Sequence, residues 1–341
     1  MPLALQGVLL SLAFTSGIGG AGAAPAGHAY LVMPFENTAE DPSLEWLSTG
    51  LALSLGEYLA GLGAQVVDED ERAVLLEGNG IPPGAQFTLA SALEMGRKMR
   101  ARPGTTRPDR LVLGRFNVTG GDLTLSTRSL EIAEEKARPW IARQGRLKNL
   151  VEVQNALALA LAKGDGLPIN ESRSEILARQ AGDLPLLAFE HYCRAMAEPD
   201  AKKRLQLLRR AAQEFPGYPK AGYQAAALLV KAERWDEASE MLAKVAAEPH
   251  PYEAGFYLLT AAIALQKRDP EAAAGAARKA LERADTARGH ALLGRALAAR
   301  GDREAARGEL QKAVTIDASE PEIDDLRRAL AEASRPARRN P

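Results

Sequence analysis

The chain has 341 residues, and 43 Lys plus Arg against 44 Asp plus Glu leave a formal net charge of -1, so no global field draws it to nucleic acid or to an acidic membrane. At about 100 to 200 residues per domain, the length exceeds one ordinary core and points to two units. A single cysteine, Cys193, excludes an intrachain disulfide and any cysteine-based zinc cage.

Residues 1–26 are apolar from Leu3 through Phe14, then rich in small residues, with A-x-A sites ending at Ala23 and Ala26. That texture is expected of a secretory signal, although the usual basic start is missing, because no Lys or Arg precedes Arg72. The run is too short to span a bilayer comfortably. Gly17 to Gly22 also matches the dinucleotide-binding spacing G-x-G-x-x-G. No helix follows to receive a pyrophosphate, since Pro25 interrupts a short segment, and the match is read as the end of the signal.

From Ala29 the pattern changes to alternating strand and helix. Ala29 to Phe35 reads as a buried strand. Asp41-Pro42-Ser43 opens a helix carrying Trp46, Leu47, Leu51, Leu55 and Leu59, which ends at Gly61 and Gly63. A short strand at Ala64 to Val67 follows, then a helix at Glu71 to Glu77, a loop with Pro82-Pro83, and a helix at Thr88 to Arg100. Arg110 to Thr119 and Asp122 to Ile132 read as strands joined by Gly120-Gly121, a good two-residue turn because both positions tolerate positive φ. A helix at Leu147 to Lys163 closes the module. The order and spacing of Val32 to Asn37, Leu44 to Leu51, Val66 to Asp68, Ala92 to Gly96 and Leu111 to Gly114 resemble the TolB amino-terminal-type domain over residues 29–163. That resemblance implies a small α/β domain with an interaction role in the bacterial envelope or in signalling, and no catalytic centre.

Residues 164–184 are expected to be a linker with a connector helix at Asn170 to Gly182. Across residues 185–320 one pattern then returns every 33 to 35 residues: Ala306 follows Ala273 and Ala238, and Ala313 follows Ala280, Val245 and Ala211. Each unit reads as two amphipathic helices around a turn, clearest at Gly301-Asp302. These residues resemble the tetratricopeptide repeat, whose helices cross at small side chains. Here the pairs are Ala226 with Ala238, Ala261 with Ala273, and Gly294 with Ala306, and a larger residue would hold the axes apart. Trp235 is placed in the turn before a second helix. The 185–218 unit departs from the pattern, with Tyr192 and Arg204 at the crossing, as the first unit of a solenoid tends to. Residues 321–334 read as a capping helix with Ile323, Leu326 and Leu330 inward, and 335–341 as a disordered tail. The fold class expected is therefore a two-domain α+β and all-α chain, a sandwich-like α/β domain followed by an α-solenoid.

No nucleophile, base and orienting group appear together, so no enzyme activity is expected. The histidines at 28, 191, 250 and 290 lack H-E-x-x-H company, and no metal or cofactor is expected. Asp68 to Glu71 reads as a solvated acidic turn that favours the next helix N-terminus. Glu36 and Asn37, at a strand end, are a lesser candidate for a small ligand. The better candidate is the groove that the first helices of the repeats line in this family, which by position falls on Phe189, Cys193, Tyr223, Lys231, Leu258, Gln266, Arg288 and Arg295. Cys193 also suits a packing role. Such a groove suits a protein or peptide partner with apolar and acidic residues. The resulting expectation is a non-enzymatic envelope adaptor, periplasmic or secreted. The alternative is a sensory or nucleotide-related module binding a small ligand through its front domain.

Overall fold

The computed structural model describes residues 28–333 apart from 40, 68, 82–84, 103–105, 173, 176–183, 217 and 246–252. The expected signal segment, the glycine run within it, Pro82-Pro83, most of the connector helix and the tail lie outside the described residues. By contacts, the chain divides into two compact units, one of residues 24–225 with 243–251 and one of residues 226–242 with 252–341.

The first unit is built on a mixed sheet. Strands β1 (Ala29–Val32), β2 (Glu36–Asn37), β3 (Gln65–Val66), β4 (Arg110–Thr119), β5 (Asp122–Glu131), β6 (Lys136–Ala137) and β7 (Ile141–Arg146) join in the order β3-β1-β4-β5-β6, with β2 beside β4 and β7 beside β5. The β4–β5 hairpin pairs from Arg110↔Glu131 to Thr119↔Asp122, and its turn residues Gly120 and Gly121 take φ of 60° and 83°. A side chain at either position would strain a turn whose twist matches the strands. Because successive side chains face opposite ways, Leu31, Met33, Leu111, Leu113 and Leu130 gather on one face. There they meet helices α2 (Glu69–Gly78) and α3 (Leu89–Ala101) through Leu75, Leu93, Met95 and Met99. Helices α1 (Trp46–Gly61) and α4 (Leu150–Gly164) cover the other face. The local signals act as expected: Asp41 caps the turn before α1 through Ser43 N–H, and Thr88 caps α3 through Ser91 N–H. The acidic run differs from its reading as a turn. Glu69 already lies in α2 and pairs with Arg72, whose guanidinium is buried and donates to the Val32 carbonyl at 3.0 Å.

The same unit holds the first helical hairpin, α5 (Leu186–Ala197) and α6 (Ala201–Glu214), and α5 packs on α1. Phe189 meets Trp46 edge-on at 6.1 Å between ring centroids. A Cβ on Gly50 would stand 2.7 Å from the Cys193 sulfur, so only glycine lets the helices approach this closely. Tyr192 donates to the Glu57 carboxylate, which Lys220 also reaches from helix α7 (Pro219–Lys231).

The second unit continues with α8 (Trp235–Val245), α9 (Glu253–Gln266), α10 (Pro270–Arg283), α11 (Ala287–Ala299), α12 (Arg303–Ile316) and α13 (Glu322–Ala333). It is a run of helical hairpins of the solenoid kind. Ala226, Ala238, Ala261, Ala273 and Ala306 are all fully buried, as crossings of small residues require. Trp235 is the first residue of α8 rather than part of the turn before it. The turns repeat as closely as the crossings do: Glu233, Arg268 and Gly301 all take positive φ, at 57°, 58° and 88°. In each, the next residue's N–H returns to a carbonyl five back, at 2.9 to 3.0 Å. Asp269 and Asp302 then cap α10 and α12. In the first hairpin Asp200 caps α6 in the same way, but the chain leaves α5 through an extended Glu198 with no such turn. That is how the unit with the atypical crossing differs.

Candidate functional site

Of the eight residues assigned to a groove, the structure removes four from any open surface. Phe189 and Cys193 are 1% and 2% exposed and lie against α1. Their i, i+4 spacing makes the apolar stripe that carries α5. Burial foremost pushes the Cys193 thiol well above its ordinary range, with the nearby Glu57 charge adding to it, so it is no nucleophile at neutral pH. Arg295 pairs with Glu322 and, at 3.3 Å, with Asp325, and Arg288 reaches Glu322 at 3.8 Å. These two arginines pair with acidic residues at the start of α13 instead of lying free on an open face. Sequence carried no signal of this, because Glu322, Asp324 and Asp325 in the first turn of α13 are already favoured by that helix's own dipole.

The other four remain. Lys231 and Gln266 are exposed, Tyr223 is half-buried, and Leu258 is half-buried against the alanine and leucine core of the second unit. Within that unit Lys231, Leu258 and Gln266 lie on first helices of hairpins. Tyr257, one residue from Leu258, has Lys279 at 5.6 Å from its ring centroid.

Two histidines stand in polar clusters that sequence spacing could not reveal. His28 faces Asp109 through Nδ1 at 2.6 Å and the Asp165 carbonyl through Nε2 at 3.0 Å. Ser129 donates to the Asp165 carboxylate at 2.6 Å and Arg138 approaches it at 3.3 Å. These residues join the start of β1 to the end of α4. Burial first, and the Asp165 charge second, raise the neighbouring Tyr30 hydroxyl far above its ordinary range, so it stays protonated. His290 lies between Glu309 and Asp285, the latter at 2.7 Å. Burial tends to raise the Glu309 carboxyl, but hydrogen bonds from Lys312 and His290 outweigh it and hold the group below its usual value. Both clusters tie elements together.

At the strand end proposed for a small ligand, Asn37 is occupied locally, donating to the Asp41 carbonyl and accepting from Ala39 N–H. Among the described residues no group of three His, Cys, Asp or Glu is placed to hold a metal ion, and no helix is long and apolar enough to cross a membrane.

Residues 195–263 match the tetratricopeptide repeat family. No curated protein matches the chain. Among solved structures, the C-terminal domain of LpoB from Salmonella enterica is similar over 36% of this chain and 86% of its own, at 12% identity and a TM-score of 0.27. The same domain from Escherichia coli covers 37% of this chain and 87% of its own, at 14% identity and a TM-score of 0.26. At those TM-scores the likeness carries no inference about fold, site or partner.

Proposed function

We propose that this chain is a non-enzymatic interaction protein of the bacterial envelope whose helical hairpins receive a protein or peptide partner. The observation that carries the reading is the tetratricopeptide match over residues 195–263, joined to buried small crossings and turns repeating with the same period. Helical repeats of this kind stack into extended surfaces that suit peptides and proteins. The groove residues proposed are Lys231, Leu258 and Gln266, two exposed polar residues and a half-buried apolar one, a mixture that suits an amphipathic segment. Export rests on the apolar run before Phe14 and the A-x-A sites, and the TolB-like resemblance of residues 29–163 agrees with it.

Site-specific photocrosslinking in the native cell tests this. A crosslinker at position 231 or 266 is expected to give a discrete protein adduct in the envelope fraction, while one at the exposed Lys202, on the second helix of the first hairpin, gives none. Adducts equal at all three positions, or at none, would overturn the groove. Recovery of the chain solely from the cytoplasm would overturn the envelope assignment.

A further inference from the structure

On the sheet face that carries α2 and α3, the apolar residues stop at Leu113 on β4 and Leu130 on β5. Farther toward the hairpin turn, the same face presents Arg115 and Asn117 from β4. Their cross-strand partners Ser126 and Thr124 come from β5, and Ala142 and Gln144, paired with those, come from β7. Cross-strand partners share a face, so this is one polar strip three strands wide, flanked on its β2 side by Glu36, the partner of Arg115. Trp140, just before β7, lies over it and is 37% exposed, among the largest apolar groups left in solvent. The guanidinium carbons of Arg115 and Arg128 stand 4.5 Å and 4.7 Å from its ring centroid.

Stacking on an indole uses the flat side of a guanidinium and leaves its in-plane N–H donors free for a carboxylate. Among the described residues neither Arg115 nor Arg128 has an ion pair, whereas the neighbouring Arg146 is neutralised by Asp122 at 2.7 Å. The Arg128 Nε is buried without a hydrogen-bond partner, so a ligand is met by the terminal nitrogens of that guanidinium. Two cations without ion pairs thus lie against one aromatic ring, on a face that also carries Glu36, the β2 cross-strand partner of Arg115, beside neutral amides, hydroxyls and the Ala142 methyl.

From this juxtaposition we infer that the strip is a docking surface for an acidic peptide segment of a partner protein. Its carboxylates meet Arg115 and Arg128, an apolar side chain lies on Trp140, and Asn117, Thr124 and Gln144 serve its backbone. Charge complementarity and the Trp and Arg content, the residue types that dominate interface energies, argue for that occupant. A nucleic acid or another polyanion fits less well, because its binding grows with the number of phosphates neutralised and the chain is near neutral. The strip is built from residues of the first unit alone, and the inference does not depend on the helical groove.

The probe is a fluorescein-labelled peptide of about a dozen residues, rich in glutamate with spaced leucines, titrated against the full chain by anisotropy. Binding is expected, weakened at least tenfold by Arg115→Gln with Arg128→Gln, and several-fold by Trp140→Phe. Arg146→Gln and Lys231→Ala, the latter a groove variant, should leave it unchanged. Circular dichroism identifies any variant that fails to fold, and the single variants Arg115→Lys and Arg128→Lys keep the charge while losing the fork, so each should weaken binding. No binding of the peptide, binding indifferent to both arginines, or equal binding of heparin and a single-stranded oligonucleotide would overturn the proposal.

Discussion

Reversing the charge at Arg295 is expected to detach helix α13. The side chain is 19% exposed and is shared between Glu322, itself 10% exposed, and Asp325, 28% exposed. Arg295→Glu removes the cation and sets a third carboxylate in its place, leaving Arg288, at 3.8 Å, to face Glu322 alone. Removing one partner of a buried pair costs about 3–5 kcal/mol. The partial exposure of Asp325 and the retained Arg288 reduce this to roughly 2–3 kcal/mol. The loss falls on α13, whose Ile323, Leu326 and Leu330 bury against α11 and its neighbours. Since a chain of two compact units need not unfold in one step, hydrogen exchange resolved by segment is the suitable readout. Amides of α13 should exchange roughly thirty- to over a hundredfold faster, at a factor of ten per 1.4 kcal/mol, while those of β4 and β5 keep their protection. Arg327→Glu is the control, because Arg327 pairs with Asp324 alone among the described residues and both are more than half exposed. Its effect should stay within about 0.5 kcal/mol. Equal exchange of α13 in the two variants would refute the assignment of Arg295 as a structural tie.

Gly294→Leu should destabilise the same region by about 1–3 kcal/mol, because even a Cβ there would stand 2.6 Å from a Leu326 methyl and 3.3 Å from the Ala306 carbonyl. A thermal melt unchanged from wild type would contradict that packing. Arg268→Gly should stabilise the third hairpin by about 0.5–1 kcal/mol, since a left-handed residue other than glycine is strained. Chemical denaturation measures it, and a loss of stability would mean that the arginine side chain contributes more than its backbone costs. For Glu309, whose folded carboxyl is held below its ordinary value of 4.5, the stabilisation is present above that value and is lost as pH falls through the folded one. Glu309→Gln should therefore flatten the acid limb of stability against pH, and an unchanged limb would show that the His290 and Lys312 contacts contribute nothing in solution.

Much of the architecture follows from local rules that act within a few residues. Gly120-Gly121 forces the β4–β5 hairpin because only positive φ closes a two-residue turn with the right twist, and Asp41 and Thr88 begin helices because their oxygens reach free N–H groups. The repeating alanines from Ala211 to Ala313 predict crossings at a fixed period, since small residues are needed wherever two helices touch. Strand β7 was illegible: Ile141 to Arg146 is an exposed, mostly polar strand without apolar alternation, and its pairing with β5 supplies what its sequence lacks. The candidate groove was legible as a helix face but not as an open one. The same spacing that aligns Phe189 with Cys193 serves a ligand or a neighbouring helix equally well, and the bare Gly50 of α1 decides for the helix. In the same way an arginine on a helix face reads as free until the acidic turn of α13 is brought beside Arg288 and Arg295. Trp140 with Arg115 and Arg128, and His28 with Asp109 and Asp165, join residues far apart in the chain. Sequence alone thus determined most of the elements, the turns between the hairpins and their period, because each depends on near neighbours. Tertiary structure alone decided which faces stay open and which charges find partners, because those depend on what the rest of the chain places against them.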